Sequence, residues 1–297
     1  MRHLKTLFCL LLLPGLLAAA HGQTVLINTM NCYWCFGDQP PPANANIKRL
    51  TPDEFSLKAG HLIGLLPEQT PLFVGLQEIA AEKDVAALAH AATQRYRHPF
   101  QPLFVPGKDT QTKQNVGALF QSDAGWGVYG RPARPSELEK ELSKHLTVVL
   151  TNASATKLVL CVVHLRRPIG DDGERKHRAQ CQALLRWSMR FLSKDPNANI
   201  LILGDFNEKT PPGTAGSDIA LLQAAQPPMR DLFTVAQLPD FKTHGQGYFD
   251  RMILSPSLYT GKSGLMVSDL RINKHRHNKE PALYTDHFPV SLWLSRR

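Results

Sequence analysis

Asn199-Ile200-Leu201-Ile202-Leu203-Gly204-Asp205-Phe206-Asn207 is the stretch that decides the fold. Its apolar run has the length and β-branched content of a strand buried on both faces. The run stops at Gly204, and a carboxylate and an amide, Asp205 and Asn207, follow at once. A single Asp after a strand is usually a turn residue, but here the pattern recurs on both sides. Upstream, Val162-Val163-His164 ends an apolar run in an imidazole, Gly75-Leu76-Gln77-Glu78 ends in a carboxylate, and Thr29-Met30-Asn31 ends in an amide. Downstream come Phe249-Asp250-Arg251 and Thr285-Asp286-His287-Phe288-Pro289. Proton-transfer and metal-ligand residue types gathered at six strand ends point to one chemical site.

Between these strand ends the chain alternates. Val25 to Asn31 and Pro71 to Gln77 read as strands. Thr51-Pro52-Asp53-Glu54 reads as a helix start with a capping box and proline at the first helical position. Phe55, Ala59, Leu62 and Leu66 then form one apolar stripe. Val85, Leu88, Ala89 and Ala92 mark a second helix. Leu146 to Thr151 and Leu158 to His164 read as a hairpin joined by Asn152 to Lys157. Arg178 to Leu192 carries a third helical face, with Cys181, Leu184, Leu185, Ser188 and Phe191 along it, and strands return at Phe249 to Leu254 and Val290 to Leu294. This alternation, without linker or repeat, predicts one α/β domain over residues 23–297.

The order of motifs resembles the endonuclease/exonuclease/phosphatase superfamily, the deoxyribonuclease-I-like proteins, over nearly the whole chain. The resemblance implies a four-layer α/β/β/α sandwich, with two mixed sheets packed face to face and helices outside. It also implies hydrolysis of phosphoester bonds assisted by Mg²⁺ or Mn²⁺. By resemblance Glu78 is the main metal ligand, helped by Asn31 and Asp286. Asp205 orients or deprotonates the attacking water, and Asn207 holds water or phosphate. His287 contacts phosphate or moves a proton with Asp250 fixing its tautomer, and His164 stabilises or protonates the leaving oxygen. The residue types suit the task, since carboxylate oxygens favour hard cations and phosphoryl transfer needs charge neutralised around an aligned water. Asn31 is preferred to Asn28, which reads as a polar strand residue. Arg166 and Arg167 could reach phosphate or lie in solvent. Asn115 could line the site or make a turn. Arg166 and Asn115 are the candidate phosphate contacts.

Composition sets limits around this reading. The chain has 297 residues, a formal net charge of +9 and 43% hydrophobic residues, which excludes global disorder and suits an anionic partner. Residues 1–22 read as a secretory signal peptide: Arg2 and Lys5, a short apolar run, then Ala18-Ala19-Ala20. Their removal leaves 32 basic against 25 acidic residues, a charge of +7, and a secreted or periplasmic protein. In Cys32-Tyr33-Trp34-Cys35 a disulfide or idle thiols are favoured over redox catalysis, because Pro40, Pro41 and Pro42 forbid the helix that a thioredoxin-like motif opens. Cys161 and Cys181 leave the pairing open. His275-Arg276-His277 is too far from Asp286-His287 for a metallo-β-lactamase-type zinc loop.

The expected substrate is a phosphoester: the leader, and His164 where abasic-site endonucleases usually carry Tyr, point to the secreted nuclease or sphingomyelinase side, and the charge of +7 favours a polyanion, nucleic acid and DNA in particular. Sphingomyelinase-like or inositol-phosphate phosphatase activity is the alternative. A lipid enzyme should present an exposed aromatic hairpin, and Tyr33, Trp34 and Phe36 are its candidates. A catalytically inactive binding module is the reading of another class. No obligate protein partner is expected, and the chain is expected to be monomeric.

Overall fold

The structure is a computed structural model and describes residues 24–37, 39–45, 47–134, 139–211, 213–236, 242–245, 247–275 and 283–296. The signal segment at residues 1–22, and Arg276 and His277, lie outside the described residues. Two six-stranded mixed sheets form the centre. The first contains β1 (Val25–Cys35), β2 (Phe73–Ile79), β3 (Phe100–Phe104), β4 (Asn115–Gln121), β11 (Leu265–Ile272) and β12 (Val290–Arg296), in the order β11-β12-β1-β2-β4-β3. The second contains β5 (Trp126–Val128), β6 (Leu146–Asn152), β7 (Lys157–His164), β8 (Ile200–Asp205), β9 (Arg230–Asp231) and β10 (Asp250–Leu254), in the order β5-β6-β7-β8-β10-β9.

Three apolar cores separate four layers. Between the sheets, Ile27, Phe73 and Ala118 of the first meet Val148, Leu160, Leu203 and Met252 of the second. Side chains on alternate strand positions face away from that layer. On the first sheet Met30, Leu76 and Leu119 pack against α1 (Pro52–Gly64) and α2 (Glu82–Tyr96), through Phe55, Leu62, Val85 and Leu88. On the second, Cys161, Val163 and Ile202 pack against α3 (Gly170–Leu192), through Cys181, Leu184 and Trp187. Short helices α4 (Leu232–Ala236) and α5 (Pro256–Thr260) fill the edges. The layering is the expected α/β/β/α sandwich.

The capping box at α1 forms as the sequence predicts, with the Thr51 side chain accepting from the Glu54 amide and the Glu54 side chain from the Thr51 amide. The third helix starts at Gly170, eight residues before the expected Arg178. All four cysteines of the described chain are buried free thiols, so no disulfide joins Cys32 to Cys35. Burial and its neighbour Cys35 push the Cys32 thiol well up, away from the reactive thiolate. Phe36 is core, 2% exposed, and Tyr33 and Trp34 are half-buried, so this segment is no exposed aromatic hairpin.

The topology gathers the strand ends. β1 runs parallel to β2, and β7 parallel to β8, so the C-terminal ends of all four lie on one edge of the sandwich. β12 and β10 run antiparallel to β1 and β8, so residues at or just before their starts reach the same edge. The register sets His164 and Asp250 on either side of Asp205.

Candidate active site

Asn31 is the joint between the sheets. Its side-chain amide donates to Glu78 Oε1 at 3.1 Å and to Asp205 Oδ2 at 2.9 Å, and its Oδ1 accepts from the Tyr33 amide at 2.9 Å. Glu78 Oε2 accepts from the Trp34 amide at 2.8 Å. Asn28, by contrast, lies three residues back, fully buried, with no hydrogen-bond partner on its side chain.

The local backbone departs from regular strand to make these contacts. Glu78 has φ 60° at a register shift in β2, and Tyr33 and Trp34 have φ 47° and 48° at a shift in β1. Such bulges re-aim a side chain that strand alternation would send elsewhere. Asn207, at φ 51°, is a fourth left-handed residue of the site. It curls back so that its amide N–H donates to Asp205 Oδ1 at 2.7 Å and its side chain to the Leu165 carbonyl at 3.0 Å. Strained backbone gathered around one cavity is a common mark of function.

Gly204 lets β8 reach Asp205. A Cβ there, at φ 140°, would sit 2.1 Å from the Val163 carbonyl oxygen. Below Asp205, the fully buried His177 contacts the Phe206 carbonyl at 2.8 Å and Asp218 at 2.9 Å.

Across the cavity His287 Nδ1 meets Asp250 Oδ2 at 2.7 Å. Burial opposes charge on His287, but Asp250, with Asp205 and Asp286, pushes it up to about 10, so the ring is a cation at neutral pH. Burial, reinforced by Asp250 and Glu78, pushes the Asp205 carboxyl up to about 6 despite the His287 charge. Asp286 goes the other way: burial raises it, but the hydrogen bond from His244 and the His287 charge bring it below the usual range. His164 Nε2 lies 3.7 Å from Asp205 and 4.0 Å from Glu78. These contacts are not ion pairs, because burial and the nearby Lys144, His287 and His145 hold His164 well below its usual value and therefore neutral. A neutral ring can donate one hydrogen bond, so His164 suits stabilising a leaving oxygen better than protonating it.

The eight expected catalytic and metal residues thus converge: Asn31, Glu78, His164, Asp205, Asn207, Asp250, Asp286 and His287. The two expected phosphate contacts do not join them. The Asn115 amide is held between the Ala80 carbonyl and the Gly107 N–H, a structural tie. Arg166 turns to Gln111 at 3.0 Å, while its neighbour Arg167 lines the cavity. Sequence reasoning missed His244, whose Nε2 meets Asp286 Oδ2 at 2.9 Å and whose ring lies 4.6 Å from that of His287. No strand or motif flags it. It also missed Lys58 of α1, fully buried, which donates to the carbonyls of Tyr33 at 2.6 Å and Tyr284 at 3.3 Å and so ties the end of β1, which carries Asn31, to the segment that carries Asp286.

The donor set fits a hard divalent cation. Glu78 and Asp205 are bridged by one neutral amide, and Asp286 Oδ1 is buried without a hydrogen-bond partner. Glu78, His164 and Asp205 are clustered closely enough to share an ion, whereas the cluster of His244, Asp286 and His287 contains a ring that is already a cation.

Among solved structures this chain is similar to the human Nocturnin catalytic domain with bound sulfate, at 15% identity and TM-score 0.60, covering 92% of this chain and 95% of that one. It is equally similar to D. rerio TDP2 humanised by 14 mutations, at 16% identity and TM-score 0.60, covering 92% and 99%. A Bacteroides thetaiotaomicron endonuclease/exonuclease/phosphatase family protein matches at 11% identity and TM-score 0.60, covering 93% and 99%. The chain has the endonuclease/exonuclease/phosphatase fold. No family profile and no curated protein matches its sequence. In the terms of this fold, the sheet edge that carries Asn31, Glu78, Asp205 and His287 is the open rim of the sandwich, and the cavity there measures about 150 Å³.

Proposed function

We propose that the chain is a divalent-cation-dependent phosphoester hydrolase, a phosphodiesterase acting on DNA. The observation that carries this reading is the Asn31-bridged pair Glu78 and Asp205 facing the His287 cation, held by Asp250, across a cavity of phosphate size. Glu78, with Asp286, would hold Mg²⁺ or Mn²⁺, which when bound neutralises phosphate charge and polarises the phosphorus; Asn31, expected as a further ligand, instead turns its NH2 to Glu78 and Asp205 and orients them. Asp205 accepts the proton of the attacking water as the new P–O bond forms. Its Oδ1 is oriented by the Asn207 amide, and Asn207 stands on the cavity wall beside it. His287 presents an N–H and a positive charge to a nonbridging oxygen. The bond to the leaving oxygen breaks opposite the water, with a hydrogen bond from neutral His164 stabilising that oxygen before it takes a proton from solvent.

Three observations favour nucleic acid over lipid. The net charge of residues 23–297 is +7, from 32 basic and 25 acidic residues. The aromatic segment at Tyr33 and Trp34 forms cavity wall instead of a projecting hairpin. Among the described residues, the large exposed apolar side chains are Leu57, Tyr129, Ile169 and Val235, which come from separate parts of the chain. A TDP2 of the same fold was solved with a single-strand DNA product, and the Nocturnin domain with a sulfate, an anion of phosphate shape. We also propose that residues 1–22 are removed on export and that residues 23–297 act as one domain outside the cytoplasm. Purified protein tested with Mg²⁺ and with EDTA on plasmid DNA, sphingomyelin and inositol phosphates checks the reading. DNA nicking that needs the metal supports it, and lipid cleavage without nicking overturns the choice of substrate.

A further inference from the structure

Helix α3 turns polar side chains onto its buried face where it nears the site. Further along, Cys181, Leu184 and Trp187 are apolar core. His177 is fully buried and Gln180 nearly so, and their spacing of three residues puts them on one side of the helix. His177 Nε2 lies 2.8 Å from the Phe206 carbonyl, which can only accept, so Nε2 carries the hydrogen. Nδ1 meets Asp218 Oδ2 at 2.9 Å, and Arg178 holds the other oxygen of that carboxylate at 3.1 Å. The ring is thus gripped at both nitrogens.

The Phe206 carbonyl and the Asn207 N–H belong to one peptide unit. In a planar trans peptide they point in opposite directions, so holding the carbonyl aims the N–H. That N–H donates to Asp205 Oδ1 at 2.7 Å, while Asn31 of the other sheet holds Oδ2 at 2.9 Å. Asn207 has φ 51°, a conformation that persists where its surroundings over-determine it. We propose that His177 is a positioning residue of the phosphodiesterase site, which fixes the Phe206–Asn207 peptide and through it the carboxylate of Asp205. The proposal rests on the phosphodiesterase reading, since a carboxylate free to turn is aligned with an in-line water only part of the time. Gln180 holds the segment beyond His164 in the same manner: its Oε1 accepts from the Arg166 N–H at 2.6 Å, and its Nε2 donates to the Glu141 carbonyl at 3.1 Å. Gly173 lets the start of the helix lie directly on that segment, because a Cβ there would sit 2.8 Å from the Arg167 carbonyl oxygen. The two segments are laced to each other as well, by Leu165 N–H to the Asp205 carbonyl at 2.9 Å and by the Asn207 side chain to the Leu165 carbonyl at 3.0 Å.

The test compares the purified wild type with His177→Ala and with His177→Gln, which keeps a side-chain N–H at the reach of Nε2. Residue-resolved amide hydrogen exchange in EDTA reads the anchor without turnover. In folded His177→Ala the exchange of the Asn207 amide is expected to speed up by about tenfold or more beyond any change in the amides of the β8–β10 ladder, because the loosening is local. A role in stability alone would speed both sets together. With Mg²⁺ and bis-p-nitrophenyl phosphate, a minimal diester, kcat is expected to fall by about tenfold or more in His177→Ala while KM stays near the wild-type value. His177→Gln is expected to recover most of both losses. Asn207 exchange that rises only in step with the ladder overturns the proposal, as does a wild-type kcat in folded His177→Ala, or a folded His177→Gln no better than His177→Ala. Failure of the phosphodiesterase reading would look different: the wild type would hydrolyse no diester with metal present, while selective loosening of Asn207 in His177→Ala would still establish the anchor.

Discussion

At the scale of single residues the site works by pushing two neighbouring groups in useful directions. Burial and the carboxylates of Asp250 and Glu78 bring Asp205 up to about 6, so it is still a base at neutral pH but a better proton acceptor than an ordinary Asp. His287, with Asp250 behind it, is raised to about 10 and stays cationic. Turnover is therefore expected to fall as pH drops through about 6, where Asp205 takes a proton, and as it rises through about 10, where His287 loses one. A cation held by Glu78 competes with the Asp205 proton, so the acidic limb is expected to move to lower pH as Mg²⁺ rises. A kcat/KM profile at two metal concentrations checks both points, and an acidic limb indifferent to Mg²⁺ would contradict them.

The same shifts act on stability. Because His287 titrates higher when folded than its ordinary 6.5, its stabilisation is complete below that value and is lost as pH rises through about 10. Asp205 titrates above its ordinary 3.8, so its ionised form weakens the metal-free fold above about pH 6, and that penalty is absent below 3.8. His287→Ala is expected to reduce kcat by roughly a hundredfold or more through loss of a transition-state charge. A fully active, folded His287→Ala would remove it from the mechanism. Asp205 and His287 were legible because Asp205 ends an apolar strand and His287 lies three residues before one. His244 was not, because its partner Asp286 is 42 residues away and only the closed fold brings them together.

At the scale of elements, the strands that carry the chemistry were the readable ones, and the unread strands have physical reasons to hide. β3 contains Pro102 at the edge of its sheet, β5 is only three residues long with Gly127 at its centre, and β11 shifts register between Val267 and Asp269, which breaks its alternation. The start of α3 was masked by Gly170 and Gly173, which read as loop. The bulge at Glu78 was equally invisible, since nothing in Leu76-Gln77-Glu78-Ile79 signals a left-handed residue. Two substitutions probe these devices. Gly204→Ala forces a Cβ against the Val163 carbonyl and is expected to cost at least about 2 kcal/mol of stability. Lys58→Met removes the ammonium that joins the Tyr33 and Tyr284 carbonyls, and each buried carbonyl left unsatisfied costs about 1–3 kcal/mol. Denaturant unfolding measures both, and a midpoint at the wild-type value in either would contradict the role given to that residue.

At the scale of the molecule, the parallel pairs β1–β2 and β7–β8 place four strand ends on one rim, and the two-sheet sandwich brings Asn31 of one sheet within hydrogen-bonding reach of Asp205 of the other. The fold alone does not choose a substrate, and the choice of DNA rests on charge and on the shape of the rim. If phosphate contacts drive binding, affinity for DNA should fall steeply with added salt. Export is checked by the N-terminus of protein recovered from the periplasm or medium, which should begin near residue 23. The central claim is that a cation at Glu78 and a base at Asp205 together cleave phosphodiesters. Plasmid nicking by wild type and Asp205→Ala, each with Mg²⁺ and with EDTA, tests it most directly. The wild type should nick only with metal, and folded Asp205→Ala should be slower by roughly a hundredfold or more. Nicking that survives EDTA, or that Asp205→Ala retains in full, would contradict it.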